Sequence, residues 1–376
     1  MKNSSIYADN AATTRIDDDA FIAMREYLLN DFGNASQRYS FARTVRKVLT
    51  QSRASIAECI GAEPEEIYFT SGGSESDNWA IKGIVDTDTG ASVVTSSIEH
   101  HAVLNACASV ERHGNSVFYL PVDPKGVVSI KSCREFLSTN STKLVSVMLA
   151  NNEIGTIEPV QELAYLAHKY GAFMHTDAVQ AVGHIPINVK DLQVDLLSAS
   201  GHKFNSPKGI GFLYIKKGTP IKPYMDGGAQ EFGLRAGTEN VPSIVAMAVA
   251  LKKNCSEMKK NNEKLKRMES IFFQTLNQGN IDYIKNGSDN KIPGNVSLSI
   301  KGVSGEMLFH RLDLKKIFIS TGSACDSQNT QISHVIKAIA VPSDYAEGTI
   351  RISFGKDNEE SDAQTIASAI VDILKR

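Results

Sequence analysis

Residues 172–215 read AFMHTDAVQAVGHIPINVKDLQVDLLSASGHKFNSPKGIGFLYI, and the fold follows from this stretch. It holds three short strand-like runs, Ala172–Asp177, Asp195–Ser200 and Gly211–Ile215. Toward the amino terminus the same kind of run recurs at Ile67–Thr70, Ser92–Thr95, Val117–Pro121 and Leu144–Leu149. Several are apolar throughout rather than alternating, as expected of strands covered on both faces. Amphipathic stretches lie around them, at Phe41–Ile60, His101–His113 and Val160–Tyr170. This rhythm predicts an α/β domain built around a largely parallel sheet.

Beyond about Asn240 the pattern changes. A long helical stretch runs to about Gln278, followed by strand-like Asn295–Ile300, helical Gly305–Leu314, strand-like Ile317–Ser320 and helical Ser333–Ile339. A last strand, Thr349–Phe354, precedes a helix at Glu359–Lys375 with acidic residues in its first turn and Lys375 and Arg376 at its end, charges that suit the helix dipole. The reading is a smaller α+β domain closing over the larger one.

Composition narrows the function classes. The 376 residues carry 40 Lys plus Arg against 42 Asp plus Glu, a formal net charge of −2, so electrostatics gives no reason to expect nucleic acid or an anionic membrane as the main partner. The densest basic stretch, Lys252–Arg267, is interleaved with polar residues and Glu, and reads as a solvated helix face. MKNSSIYADN lacks the apolar core of an export signal, and the longest apolar run, Ile244–Leu251, is far short of the roughly 20 residues that span a bilayer. Cys59, Cys107, Cys133, Cys255 and Cys325 form an odd set with no C-x-x-C pair. That excludes a disulfide framework or zinc-ligand spacing and favours a reducing, cytoplasmic compartment.

The chemistry gathers where strands end. Thr70-Ser71-Gly72-Gly73-Ser74-Glu75-Ser76 follows a strand and opens a helix; paired glycines and unsatisfied N–H groups there can cradle a phosphate, although a plain capped turn has the same appearance. His175-Thr176-Asp177 closes one strand and Ser200-Gly201-His202-Lys203 another, and ligands of open parallel sheets collect at carboxyl ends. A lysine, a carboxylate and a phosphate cradle together match the needs of pyridoxal phosphate: Lys203 for its aldehyde, Asp177 to keep its ring nitrogen protonated. Gln180 could reach the ring's phenolic oxygen. Of His100 and His101, after Glu99, one ring could stack on the cofactor while the other faces solvent. No HExxH or comparable metal cluster is present. Four cysteines fit core or helix positions, whereas Cys325, in STGSACDSQN, has small polar neighbours that suit an exposed, mobile nucleophile.

In order along the chain stand YADNAATT, FTSGGSES, EHHAVL, NNEIG, HTDAVQAVG, SGHK, GGAQEFGLRAGTEN, GSACDS and IRISFG. With these segments the chain resembles the cysteine desulfurases, within the class V aminotransferase-like, fold-type I pyridoxal phosphate enzymes; Cys325 in S-A-C resembles the long-loop branch. The resemblance implies a large α/β domain over residues 16–250 with a mostly parallel seven-stranded sheet. Residues 1–15 and 251–376 would form the small α+β domain carrying the cysteine loop. It further implies that Lys203 holds the cofactor, Asp177 pairs with its ring nitrogen, and Gln180 and Asn152 contact the ring oxygen and the substrate side. His100 would stack on the ring, and Gly73, Ser74, Ser200 and His202 would bind the phosphate. Thr238 would complete the phosphate site of a neighbouring subunit in a homodimer. Arg351, which on its own reads as a surface arginine on a strand, would clamp the substrate carboxylate. The implied reaction turns L-cysteine into L-alanine and leaves a persulfide on Cys325, with His100 as acid/base, for an acceptor in iron–sulfur assembly, tRNA thiolation or thio-cofactor synthesis.

Several positions depart from the family pattern. GNASQRYSFAR lacks the usual proline after its GN and the histidine-glycine pattern further on; Ser206 stands for a glycine, Ala236 for a serine and Asp326 for a serine or threonine. Asp326 places negative charge beside Cys325, which would raise the thiol pKa. The sequence ends soon after its last helix, without the tail by which some members grip an iron–sulfur scaffold protein. The competing readings are another pyridoxal phosphate reaction (transamination, selenocysteine lysis or sulfinate release) and a non-catalytic dimeric partner protein.

Overall fold

In the computed structural model, which describes residues 5–85, 90, 92–321 and 332–375, the seven apolar runs become the seven strands of one sheet. Their order across it is Ile67–Thr70, Gly211–Ile215, Leu196–Ser200, Phe173–Asp177, Thr142–Ser146, Ser92–Ser96, Ser116–Leu120. Gly211–Ile215 runs antiparallel to both neighbours, and every other pairing is parallel. Neighbouring residues feed opposite faces, as a pleated strand requires. Leu144, Leu196 and Leu213 pack with Trp79, Ile81 and Val103 on one side. Val145, Leu197 and Phe212 pack with Ile56, Ile60 and Leu163 on the other.

The carboxyl-terminal residues build a second, antiparallel sheet, ordered Ser320–Thr321, Thr349–Ser353, Asn295–Ile300, Tyr283–Lys285. The predicted strand Ile317–Ser320 is divided. Ile317–Phe318 pairs in parallel with Ile6–Tyr7, and Ser320–Thr321 joins the four-stranded sheet. Ile317 and Ile319 both enter the core beneath, so one run of sequence serves two sheets. The last helix is Glu360–Leu374, opened by a capping box from Glu359 and Asp362; Lys375 caps its end and Arg376 lies outside the described residues.

One helix joins the two cores. Val241–Gln278, 38 residues long, starts where Asn240 accepts the Ser243 N–H and Pro242 sits in the first turn. Its first half places Ile244, Met247 and Leu251 in the large core; its second half places Leu265, Met268, Phe272 and Leu276 in the small one. The expected division near residue 250 therefore falls inside a continuous helix. Among the described residues, no helix is long and apolar enough to cross a membrane.

Candidate active site

Strand pairing sets the site. Thr70 and Ser200 both pair with Gly211, and Asp177 pairs with Ser198, so the predicted cradle, carboxylate and lysine lie along one edge of the sheet. The strands approach closely there because the glycines permit it. A Cβ on Gly73 would come within 2.6 Å of Val179 Cγ2 and 3.6 Å of Ser200 Cβ, and one on Gly211 within 2.7 Å of Gly72 Cα. Gly72 itself has φ +152°, and Gly73 begins the helix Gly73–Val85. Ser74, next in that first turn, is exposed. The result is a narrow backbone cradle at a helix start, suited to a phosphate.

Asp177 is 5% exposed, and its Oδ1 accepts the Val179 N–H at 2.9 Å. Burial raises its pKa to about 6, against the lowering effects of that N–H and of the Lys203 charge. A buried carboxylate within reach of the Lys203 charge fits a cationic ring nitrogen, so the residues present suit pyridoxal phosphate. Behind Asp177, His175 lies on the same strand face and is fully buried, its Nδ1 2.8 Å from Ser146 Oγ and its Nε2 3.0 Å from Ser198 Oγ. Burial pushes His175 down to about 3, which keeps it neutral.

His100 caps the helix His101–Arg112, its Nδ1 accepting the Ala102 N–H at 3.1 Å. That acceptor role assigns the ring proton to Nε2. Burial, then the nearby Lys203 and His101, push its pKa down to about 4. His101 differs from expectation: it is half-buried, and its ring lies 5.0 Å from that of His334.

The segment Tyr7–Thr14 ties the site together, and the sequence reading gave it no role. Lys203 Nζ donates to Ala11 O at 2.6 Å and Ala12 O at 2.9 Å, and Gln180 Nε2 donates to the same Ala11 O at 2.9 Å. His202 Nδ1 lies 3.1 Å from Thr13 Oγ1, while its carbonyl accepts from Thr14 N and Oγ1. Burial and the charges of Lys203 and Lys208 push His202 down to about 4. Asp9 forms an ion pair with Arg351 at 2.7 Å. These contacts bridge some 170 to 340 residues, so no local motif betrays them.

Arg351 is no surface arginine. It is 4% exposed, and its Nη1 donates to the carbonyl of Asn152 at 3.0 Å. Asn152 is half-buried, beside fully buried Asn151, whose side chain braces the turn through Ile98 O and the Glu153 and Ile154 N–H groups. Thr238 is exposed. The ion pair of Arg235 with Glu75, at 2.9 Å, fastens its segment to the first turn of the glycine-led helix. Cys59, Cys107, Cys133 and Cys255 all sit on helices, as expected. Cys325 and Asp326 lie outside the described residues.

The aminotransferase class-V profile matches residues 6–366, and the chain belongs to that family of pyridoxal phosphate-dependent enzymes. Within it the chain is a member of the cysteine desulfurases. It is 43% identical over 377 residues to the cysteine desulfurase IscS of Methanosarcina thermophila, covering 100% of this chain and 93% of the relative. Among solved structures, a NifS-like protein superposes with a TM-score of 0.93 at 34% identity, covering 99% of this chain and 100% of the other. SspA, solved in complex with cysteine, gives 0.82 at 32% identity, covering 93% and 99%.

Proposed function

We propose that the chain converts L-cysteine to L-alanine and takes the removed sulfur as a persulfide on Cys325. The observation that carries the reading is the Tyr7–Thr14 segment, which draws Lys203, Gln180, His202 and Arg351 to one place. Pyridoxal phosphate, when bound, supplies an aldehyde for the substrate amine and a ring that draws electrons from its α-carbon. Gly73, Ser74, Ser200 and His202 would hold its phosphate, and Asp177, ionised above about pH 6, its ring-nitrogen proton. Arg351 orients the substrate carboxylate next to Asn152. Lys203 takes the α-proton. His100, neutral and carrying its hydrogen on Nε2, offers a hydrogen bond close to Lys203 and serves as the acid/base.

Cys325 attacks as thiolate. The substrate Cβ–S bond breaks, an S–S bond forms on Cys325, and the electron pair left at Cβ takes up a proton. One thiol from each reactant thus yields one persulfide and one methyl group, with no outside oxidant. The persulfide then serves an acceptor in iron–sulfur assembly, tRNA thiolation or thio-cofactor synthesis, in the reducing cytoplasm that the odd, motif-free cysteine set favours.

The working form in this reading is a homodimer. Thr238 is exposed, three residues before Val241, which packs with Ala23 and Tyr27 of the helix Asp18–Leu29. That helix and the loop after it present Phe21, Ile22, Leu28, Leu29 and Phe32 to the outside. An apolar face of this extent beside Thr238 suits a second copy of the chain.

Incubation of the holoenzyme with L-cysteine and a thiol reductant tests the reaction. Alanine and sulfide in equal yield are expected, with both lost in Cys325→Ser. Pyruvate and ammonia would instead indicate β-elimination, and sulfide release that survives Cys325→Ser would overturn the role of that thiol.

A further inference from the structure

Arg351 and Asp9 meet because of backbone register. Arg351 and Ser353 lie on one face of the strand Thr349–Ser353, two residues apart. Ser353 holds the Tyr7–Thr14 segment at four points. It donates from N to Ala8 O at 2.8 Å and accepts from Asn10 N at 3.1 Å, from Asn10 Nδ2 at 2.9 Å and, on Oγ, from Ala11 N at 2.8 Å. Asp9 thereby pairs with Ser353 and projects its carboxylate onto Arg351 Nη2. The Tyr7 hydroxyl also secures the turn, its one hydrogen shared between Asp9 O at 2.9 Å and Thr13 O at 2.8 Å. Burial and the Asp9 charge push this phenol up to about 12, so it remains a donor.

The guanidinium is thus fixed at two atoms, Nη2 by Asp9 and Nη1 by Asn152 O, while buried Nε has no hydrogen-bond partner. A buried guanidinium without a counter-charge is expensive, and one free to rotate cannot present two parallel N–H groups. Asp9 meets both needs, and it does so through a single carboxylate contact that leaves other guanidinium hydrogens unused.

We propose that Asp9 is a positioning residue for substrate recognition: it fixes the plane of Arg351 so that the guanidinium meets the α-carboxylate of the amino-acid substrate already oriented. The proposal rests on the reading of Arg351 as the carboxylate clamp. Because Asp9 acts through Arg351, its effect falls on ligands that carry a carboxylate and spares the chemistry at Cβ.

The test uses holoenzyme and two measurements: steady-state desulfuration of L-cysteine, and binding of L-alanine and L-alaninamide followed by the absorbance of the bound cofactor. Asp9→Ala is expected to raise KM for L-cysteine and Kd for L-alanine about 10-fold, equivalent to about 1.4 kcal/mol. kcat should stay within about twofold, and L-alaninamide, which lacks the carboxylate, should bind as before. Asp9→Asn, whose amide oxygen still accepts from Nη2 but supplies no counter-charge, should recover part of the loss. Arg351→Ala in the same assays separates the two ideas. If it raises KM strongly while Asp9→Ala leaves KM unchanged, Asp9 has no positioning role. If neither variant moves KM, the carboxylate-clamp reading itself fails. A drop in kcat or in L-alaninamide binding with Asp9→Ala, unrelieved by Asp9→Asn, would show a merely structural residue and overturn the proposal.

Discussion

Glu158 carries one of the larger electrostatic costs in the fold. It is 3% exposed; its Oε2 accepts the Val128 N–H at 2.9 Å and its Oε1 has no hydrogen-bond partner. Burial pushes its pKa up to about 8, with Asp123 adding to the rise and the Val128 N–H opposing it. In the unfolded chain the same group ionises near 4.5. Between those values the folded state binds the extra proton, so the stability contributed by neutral Glu158 is complete below about pH 4.5 and is lost as pH rises through about 8. Glu158→Gln removes that titration. Its urea midpoint should fall less between pH 6 and pH 9 than that of the parent protein, with Glu99, also raised to about 8 by burial, supplying the slope that remains. Parallel curves for the two proteins would show that Glu158 does not titrate in this window. Single residues of this kind are hidden from sequence, because a buried glutamate and a solvated one are spelled alike. The placement of Asp177 and Lys203 was legible because one closes a strand and the other ends the short turn that follows one. Asp9 was not, because its partner Arg351 stands 342 residues away.

Among the elements, the large-sheet strands were legible because several of them are apolar on both faces. Leu196–Ser200 and Gly211–Ile215 are buried at every position. Strand direction was not legible, since an apolar run reads the same whichever way its neighbour runs, and the antiparallel insertion of Gly211–Ile215 left no mark. The helix Asp18–Leu29 escaped for a different reason: its stripe of Ala20, Ala23, Met24 and Tyr27 is mostly half-buried, and the exposed Phe21, Ile22, Leu28 and Leu29 blur the helical period. The helix Val241–Gln278 was read correctly in extent, though not as the member shared by both cores. Phe272, fully buried on its second half against Phe354 and Phe273, tests that sharing. Phe272→Ala should cost about 3–5 kcal/mol in chemical denaturation. If the cores unfold together, the loss appears as one displaced transition. A separate early transition confined to the small sheet would mean that the helix does not couple them.

For the whole molecule, the proposed dimer gives the clearest expectation. Ile22→Asp combined with Phe32→Asp puts two charges on the exposed apolar face without touching either core. Sedimentation should report a monomer, and cofactor affinity should fall because Thr238 no longer reaches the neighbour's phosphate site. A dimer of unchanged affinity would place the interface elsewhere. The Tyr7–Thr14 segment also has a consequence for biosynthesis. It leaves the ribosome long before the arginine and serine that anchor it, Arg351 lying 342 residues beyond Asp9. The large sheet can therefore fold co-translationally and engage this segment through Lys203, Gln180 and His202, while Asp9 still waits for Arg351 and Ser353. The earliest-made piece of the catalytic centre is thus the last to lock, and competence to bind substrate should arise abruptly, only once Thr349–Ser353 has been released.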